Sequence, residues 1–122
     1  MNTDIGKLVL RIGFAVMMLA LHGIPKVKNL LSDDPQFVSV FGMGVILSLV
    51  LAAIAETVFP ILIIIGYKAR FAALPLIVTM LVAILEIHKN DPFAVKEKAI
   101  LFLTAFIAIA LFGPGRYSLD RR

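Results

Sequence analysis

Four apolar runs follow one another along this chain with only short polar breaks between them, and this pattern constrains the fold more than any motif does. A hydrocarbon core about 30 Å thick takes roughly 20 mostly apolar residues per helix. Backbone placed there must satisfy its own hydrogen bonds, which leaves helices or closed barrels. The runs cover about Ile5–Ile24, Val40–Gly66, Ala69–His88 and Ala99–Phe112. Apolar residues make up 61% of the sequence and mean hydropathy is +1.00, so too few polar residues remain to cover a water-facing surface. The expectation is a single all-α domain over residues 1–122, a four-transmembrane-helix bundle with both termini on the same side and the lipid bilayer around it. A soluble helical protein would need a polar face on each helix, and these runs leave little room for one.

The breaks are informative in themselves. In the first run the uncharged stretch, Ile12 to Leu21, is short because Arg11 and His22 interrupt it. That length suits the apolar part of a signal peptide, but no small-x-small cleavage pattern follows, so a retained helix ending at Gly23 and Pro25 is expected. Ser32-Asp33-Asp34-Pro35 reads as a helix-start signal for the second run, whose single charge is Glu56. Pro60 should kink or divide that run. Lys89-Asn90-Asp91-Pro92 closes the third run, Lys96-Glu97-Lys98 opens the fourth, and Gly113-Pro114-Gly115 stops it.

Charge placement speaks to topology and partners. Net charge is +4 and the isoelectric point about 9.7, yet the basic residues flank apolar runs and are not interleaved with aromatics, which argues against nucleic acid as a partner. With four spans, Lys7, Arg11, Lys68, Arg70, Arg116, Arg121 and Arg122 fall on the side of the termini, against Lys26, Lys28, Lys89, Lys96 and Lys98 opposite. The excess favours cytoplasmic termini. Cysteine is absent, which removes disulfides, thiolate metal sites and thiol redox chemistry.

Helical spacing gives each run a stripe of small and polar residues. These are Lys7, Arg11, Ala15, Met18 and His22; Gly44, Ser48, Ala52 and Ala55/Glu56; Ala72, Leu76, Thr79, Ala83 and Glu86; and Glu97, Leu101, Thr104 and Ala108. In lipid such stripes turn inward, as packing seams or as functional faces. A charge near mid-bilayer costs at least about 2.5 kcal/mol and so marks a site by default. At about 1.5 Å per residue, Arg11 and Glu56 fall at matching depth on inward faces, an intramembrane charge pair that either locks the bundle or serves function. His22, Lys26, Glu86 and His88 form a second layer about 10–14 Å toward the opposite surface. Two histidines at one depth suit haem iron, another metal or a quinone carbonyl, or else they snorkel to the interface. His88 lies about 200° from Glu86 around an ideal helix, so it turns inward only if the helix unwinds before Lys89. Arg70, Arg116 and Tyr117 are read as interfacial anchors, with Asp120 within reach of Arg70 or Arg116 as an ion-pair partner.

The residues Leu10-Arg11, His22-Gly23-Ile24-Pro25-Lys26, Ala55-Glu56, Gly66-Tyr67-Lys68-Ala69-Arg70, His88 and the terminal Gly113-Pro114-Gly115-Arg116-Tyr117-Ser118-Leu119-Asp120 together resemble the DoxX family. The resemblance spans nearly the whole chain, and the terminal run is its most specific part. Pro60 is a departure, standing where members often carry a glycine-rich stretch. The resemblance implies a four-helix bacterial inner-membrane protein linked to quinone chemistry or to an oxidoreductase complex, with Arg11, His22, Lys26, Glu56, Arg70, His88, Arg116 and Asp120 at its motif positions. No dinucleotide fingerprint or thiol accompanies them, so electrons would come from a partner oxidoreductase subunit or a bound cofactor, quinone ahead of haem. The other reading is a non-catalytic scaffold or a bundle that binds lipid or a small hydrophobe. Four helices leave little room for alternating access unless the chain forms a homodimer.

Overall fold

A computed structural model describes residues 3–120; Arg121 and Arg122, counted above on the side of the termini, lie outside the described residues. Among the described residues all regular structure is helical: α1 (Thr3–Leu30), α2 (Val45–Ile65), α3 (Ala69–Ile87) and α4 (Phe93–Phe112). The first three are each long and apolar enough to cross a membrane. In α4, Lys96, Glu97 and Lys98 fall within every stretch of 18 residues and dilute its apolarity.

Several boundaries differ from expectation, each for a local reason. Gly23 and Pro25 do not end α1, which continues to Leu30 through a π turn at Leu19–Gly23. Such a turn carries one more residue than an α turn. Pro25 then stands in the first turn of the following α segment, where a missing N–H does least harm. α2 begins at Val45 rather than Val40, because Phe41, Gly42 and Gly44 all have positive φ and cannot join a helix. Pro60 lies buried inside α2 without dividing it. α4 begins at Phe93, directly behind Pro92, so Lys96, Glu97 and Lys98 sit in its early turns rather than ahead of it.

α2 ends in a Schellman motif. Gly66, at φ 76°, donates to the Ile63 carbonyl at 3.1 Å, and Tyr67 donates to the Leu62 carbonyl at 2.9 Å. A side chain at Gly66 would also meet the tail, with its Cβ only 2.2 Å from that of Ser118.

The core joins α1, α2, α3 and α4 through Met18, Ile63, Ala72, Ala73, Leu76, Phe102 and Phe106, among others. Phe102 meets Phe14 edge to face at 5.7 Å and lies near-parallel to Phe106 at 6.0 Å. The outward faces are apolar as well: Leu21 is 67% exposed, Val78 59% and Leu111 72%. Such faces are covered by lipid, not water.

The inward stripes hold for α1, for α2 from Ser48 onward and for α3 as far as Ala83, but not for Gly44, which is exposed ahead of α2, nor for α4. Glu97, Leu101 and Thr104 face outward, and Phe102, Ala105, Phe106 and Ile109 are buried instead. Thr104 donates its hydroxyl to the Ile100 carbonyl at 2.8 Å, so it needs no partner across the bundle.

A close helix crossing joins Gly23 to Glu56. A Cβ on Gly23 would lie 1.9 Å from the Glu56 carbonyl oxygen and 2.8 Å from the Thr57 methyl. This carbonyl is the one to which residue 60 would normally donate, and Pro60 has no N–H to give. The bare Gly23 backbone therefore packs on a carbonyl left without its ordinary helical partner, an approach that small residues permit in membranes. Gly23→Ala should force α1 and α2 apart and cost about 1–3 kcal/mol. Thermal unfolding in detergent checks this, with Gly13→Ala, a site with open space around it, as the neutral control.

Candidate functional site

The charged residues of the bundle form two groups at opposite ends, and the pairing differs from expectation. Arg11 does not pair with Glu56. Its guanidinium, on a residue only 2% exposed, donates to three backbone carbonyls, those of Pro114, of Tyr117 at 2.8 Å and of Ile64 at 3.3 Å. Glu56 instead accepts from Lys26, Nζ to Oε1 at 2.8 Å, with side-chain exposures of 21% for the lysine and 3% for the glutamate. The reason lies in the true length of α1. Carrying the helix to Leu30 puts Lys26 on a rigid turn just past Gly23, where the helices touch.

The Arg11 end is a strap. After Gly113 the chain crosses beneath the bundle. Leu119 donates to the Ile65 carbonyl and Asp120 to the Gly66 carbonyl, both at 3.0 Å. Asp120 Oδ2 accepts the N–H of Ala69 at 3.2 Å, which caps the start of α3 from a distant part of the chain. The backbone N–H of Arg116 donates to Asp4 at 3.0 Å, so the tail and the start of α1 meet. Arg70 reaches the Phe112 carbonyl at 3.4 Å. Neither Arg70 nor Arg116 forms an ion pair with Asp120, whose carboxylate is taken by the helix start. Tyr117 keeps an exposed ring while its carbonyl holds Arg11.

The opposite end holds a cavity of about 640 Å³ between the helices and the loop that joins α1 to α2. His22, Lys26, Glu56 and His88 line it, together with Lys98, Phe102 and apolar residues of α2, α3 and the loop. His22 packs edge to face on Phe102 at 5.4 Å, and its ring nitrogens have no hydrogen-bond partner among the described residues. His88 Nδ1 lies 2.8 Å from Asp91 Oδ2. A second π turn, Ala83–Ile87, precedes His88 and re-phases the end of α3. That turn sends His88 to the cavity wall and leaves Glu86 exposed, outside the group it was expected to join. The cavity therefore gathers three of the four expected residues, takes Glu56 from the other layer, and adds two not expected, Lys98 and Ser48. Ser48 is internally satisfied, donating to the Gly44 carbonyl at 2.7 Å and accepting from the Val40 N–H at 2.9 Å. Lys98 was visible in the sequence only as part of a helix-start signal.

Chemically the cavity offers an apolar volume with an unpartnered imidazole, an ion pair and a second ammonium gathered on its walls. This is the usual composition of a site for a small hydrophobic molecule that is oriented by one polar head.

Two outcomes follow from the two charged centres. Lys26→Met leaves the buried Glu56 carboxylate unpaired and should cost about 3 kcal/mol, while Lys26→Met/Glu56→Met should return most of that loss. Unfolding of both proteins in the same detergent makes the comparison. Deleting residues 113–122 strips Arg11 of its tail carbonyls and should lower the unfolding temperature sharply, with partial recovery when Arg11→Met is added to the truncated chain.

The DoxX family model matches residues 6–89, more than half of the chain. The matched stretch includes Arg11, His22, Lys26, Glu56, Arg70 and His88, and it ends ahead of α4 and the tail. No curated protein and no solved structure matches the chain.

Proposed function

The chain belongs to the DoxX family, and from that premise we propose that it is a quinone-linked membrane protein, acting as a redox protein or as an accessory subunit of a membrane oxidoreductase complex. The observation that carries this reading is His22. Its ring lies on the wall of an apolar cavity, edge to face with Phe102, with no hydrogen-bond partner for either nitrogen among the described residues and with the Lys26–Glu56 pair lining the same space. A quinone head carries two carbonyl oxygens on a flat ring. The His22 imidazole and the Lys26 ammonium meet the oxygens, and Phe102 and the neighbouring aliphatic residues meet the ring. The isoprenoid chain would lie against the apolar walls and leave between helices into lipid. Four spans, termini in the cytoplasm and a bacterial inner-membrane setting complete the proposal. The contact of the tail with Asp4 supports placing both ends of the chain on one side. A homodimer would supply the partner surface that four helices alone lack.

A second reading rests on the proportions of the same cavity. Its walls are mostly apolar, and its buried carboxylate is already paired, which suits a lipid-binding scaffold that stabilises a partner complex. Solvent extraction of protein purified in mild detergent separates the two. The quinone reading expects quinone to accompany the wild-type protein and to fall at least about tenfold in His22→Ala, the loss of one buried hydrogen bond to the head. Phospholipid without quinone in the wild-type extract overturns it in favour of the scaffold.

A further inference from the structure

Lys98 is the one cationic side chain on the cavity wall whose charge is not answered. Lys26 is bound to Glu56 at 2.8 Å. Lys96, on the same helix, donates to the Lys89 carbonyl at 3.3 Å. Lys98 has neither an ion pair nor a hydrogen bond among the described residues, although Glu97 is its neighbour in the chain. It lines the cavity beside His22, Phe102 and the apolar wall of α3. The fixed charges on the lining are then two ammonium groups, Lys26 and Lys98, and one carboxylate, Glu56. The paired carboxylate cancels one cation, so one positive charge is left facing a mostly apolar volume. Lys98 is itself exposed, so its charge stands where the cavity opens outward. The apolar walls on its inner side still focus its attraction for a counter-ion. A neutral ligand leaves that charge to solvent alone.

We propose that this cavity selects amphiphiles whose head carries an oxyanion, with Lys98 as the residue that recognises it. The proposal rests on the cavity being a ligand site, as above, and specifies the charge of the ligand. The required chemistry is one negatively charged oxygen on a hydrophobic body of a size that about 640 Å³ can admit. An acidic quinone with a ring hydroxyl provides it, and so does a long-chain carboxylate. The apolar lining holds the body, His22 lies beside the head, and Lys98 supplies the charge-assisted hydrogen bond.

The test uses the full chain in detergent and two matched pairs of ligands, palmitate against hexadecanol and an alkylated hydroxynaphthoquinone against its methyl ether. Binding is read by displacement of a fluorescent fatty acid and by quenching on quinone addition. The wild-type protein should bind at least one anion about tenfold or more tighter than its neutral counterpart, the effect of one hydrogen bond to a charged group. Lys98→Gln should abolish that preference and leave the neutral ligand's affinity unchanged, and Lys98→Arg should keep it. Unfolding temperatures of the variants show that they are folded, and Lys98→Met serves if Lys98→Gln is not. Preference in the palmitate pair alone identifies a carboxylate lipid as the source of the anion; preference in the naphthoquinone pair alone identifies an acidic quinone. Equal binding of anion and neutral ligand in both pairs, or a preference that survives in Lys98→Gln, overturns the proposal while leaving a quinone site standing. Failure of every ligand to bind overturns both.

Discussion

Arg11 carries a charge that a membrane bundle can hold only if the backbone answers it. Three carbonyls do so, two from the tail and one from the end of α2. Its Nε finds no partner among the described residues, so the arrangement is tight but not complete. Much else at this end follows from it. The tail must cross the bundle to bring Pro114 and Tyr117 to the guanidinium, and glycine at 66 clears the path past Ser118. Once there, the tail adds two backbone hydrogen bonds to the end of α2 and places Asp120 on the first N–H of α3. One buried cation thus organises the junction of α1, α2, α3 and the last segment of the chain.

The opposite end is built in another way. There the polar groups are not all consumed by the fold. Glu56 and Lys26 satisfy each other and Ser48, in the first turn of α2, is satisfied by the residues just ahead of that helix, whereas His22 and Lys98 are left toward an open apolar volume. This asymmetry separates the part of the molecule that holds it together from the part that can receive a ligand. The dividing line runs near the Gly23–Glu56 crossing, where α1 and α2 pack with no room for a side chain at Gly23.

The apolar runs made the helical class, and three of the four expected spans as helices long and apolar enough to cross a membrane, legible from the sequence, because lipid imposes a length and a composition that few other folds share. The inward faces of α1 and α2 were legible from spacing alone. Three features were not. The π turns at Leu19–Gly23 and Ala83–Ile87 leave no signature in residue type, so the reach of α1 to Lys26 and the departure of Glu86 from the layer it was expected to share with His88 could not be read from an ideal helix. On α4, Thr104 resembled an inward polar residue, but bonding to its own helix freed it to face outward while aromatic residues filled the interior. And a charge pair inferred from depth alone could not anticipate backbone carbonyls as Arg11's partners, since every residue carries one and none announces its availability.

The two π turns carry a consequence for how the cavity is wound. A π turn is an α-helix that has accommodated one additional residue. Here one precedes Lys26 on α1 and another precedes His88 on α3, so two opposing walls of the cavity are each displaced by a single inserted position. The same residues wound as an uninterrupted α-helix would keep the span and the apolar content, yet Lys26 and His88 would each turn by about 100° from their present faces. The polar lining of the cavity is therefore set by the winding of two helix turns as much as by the identity of its side chains.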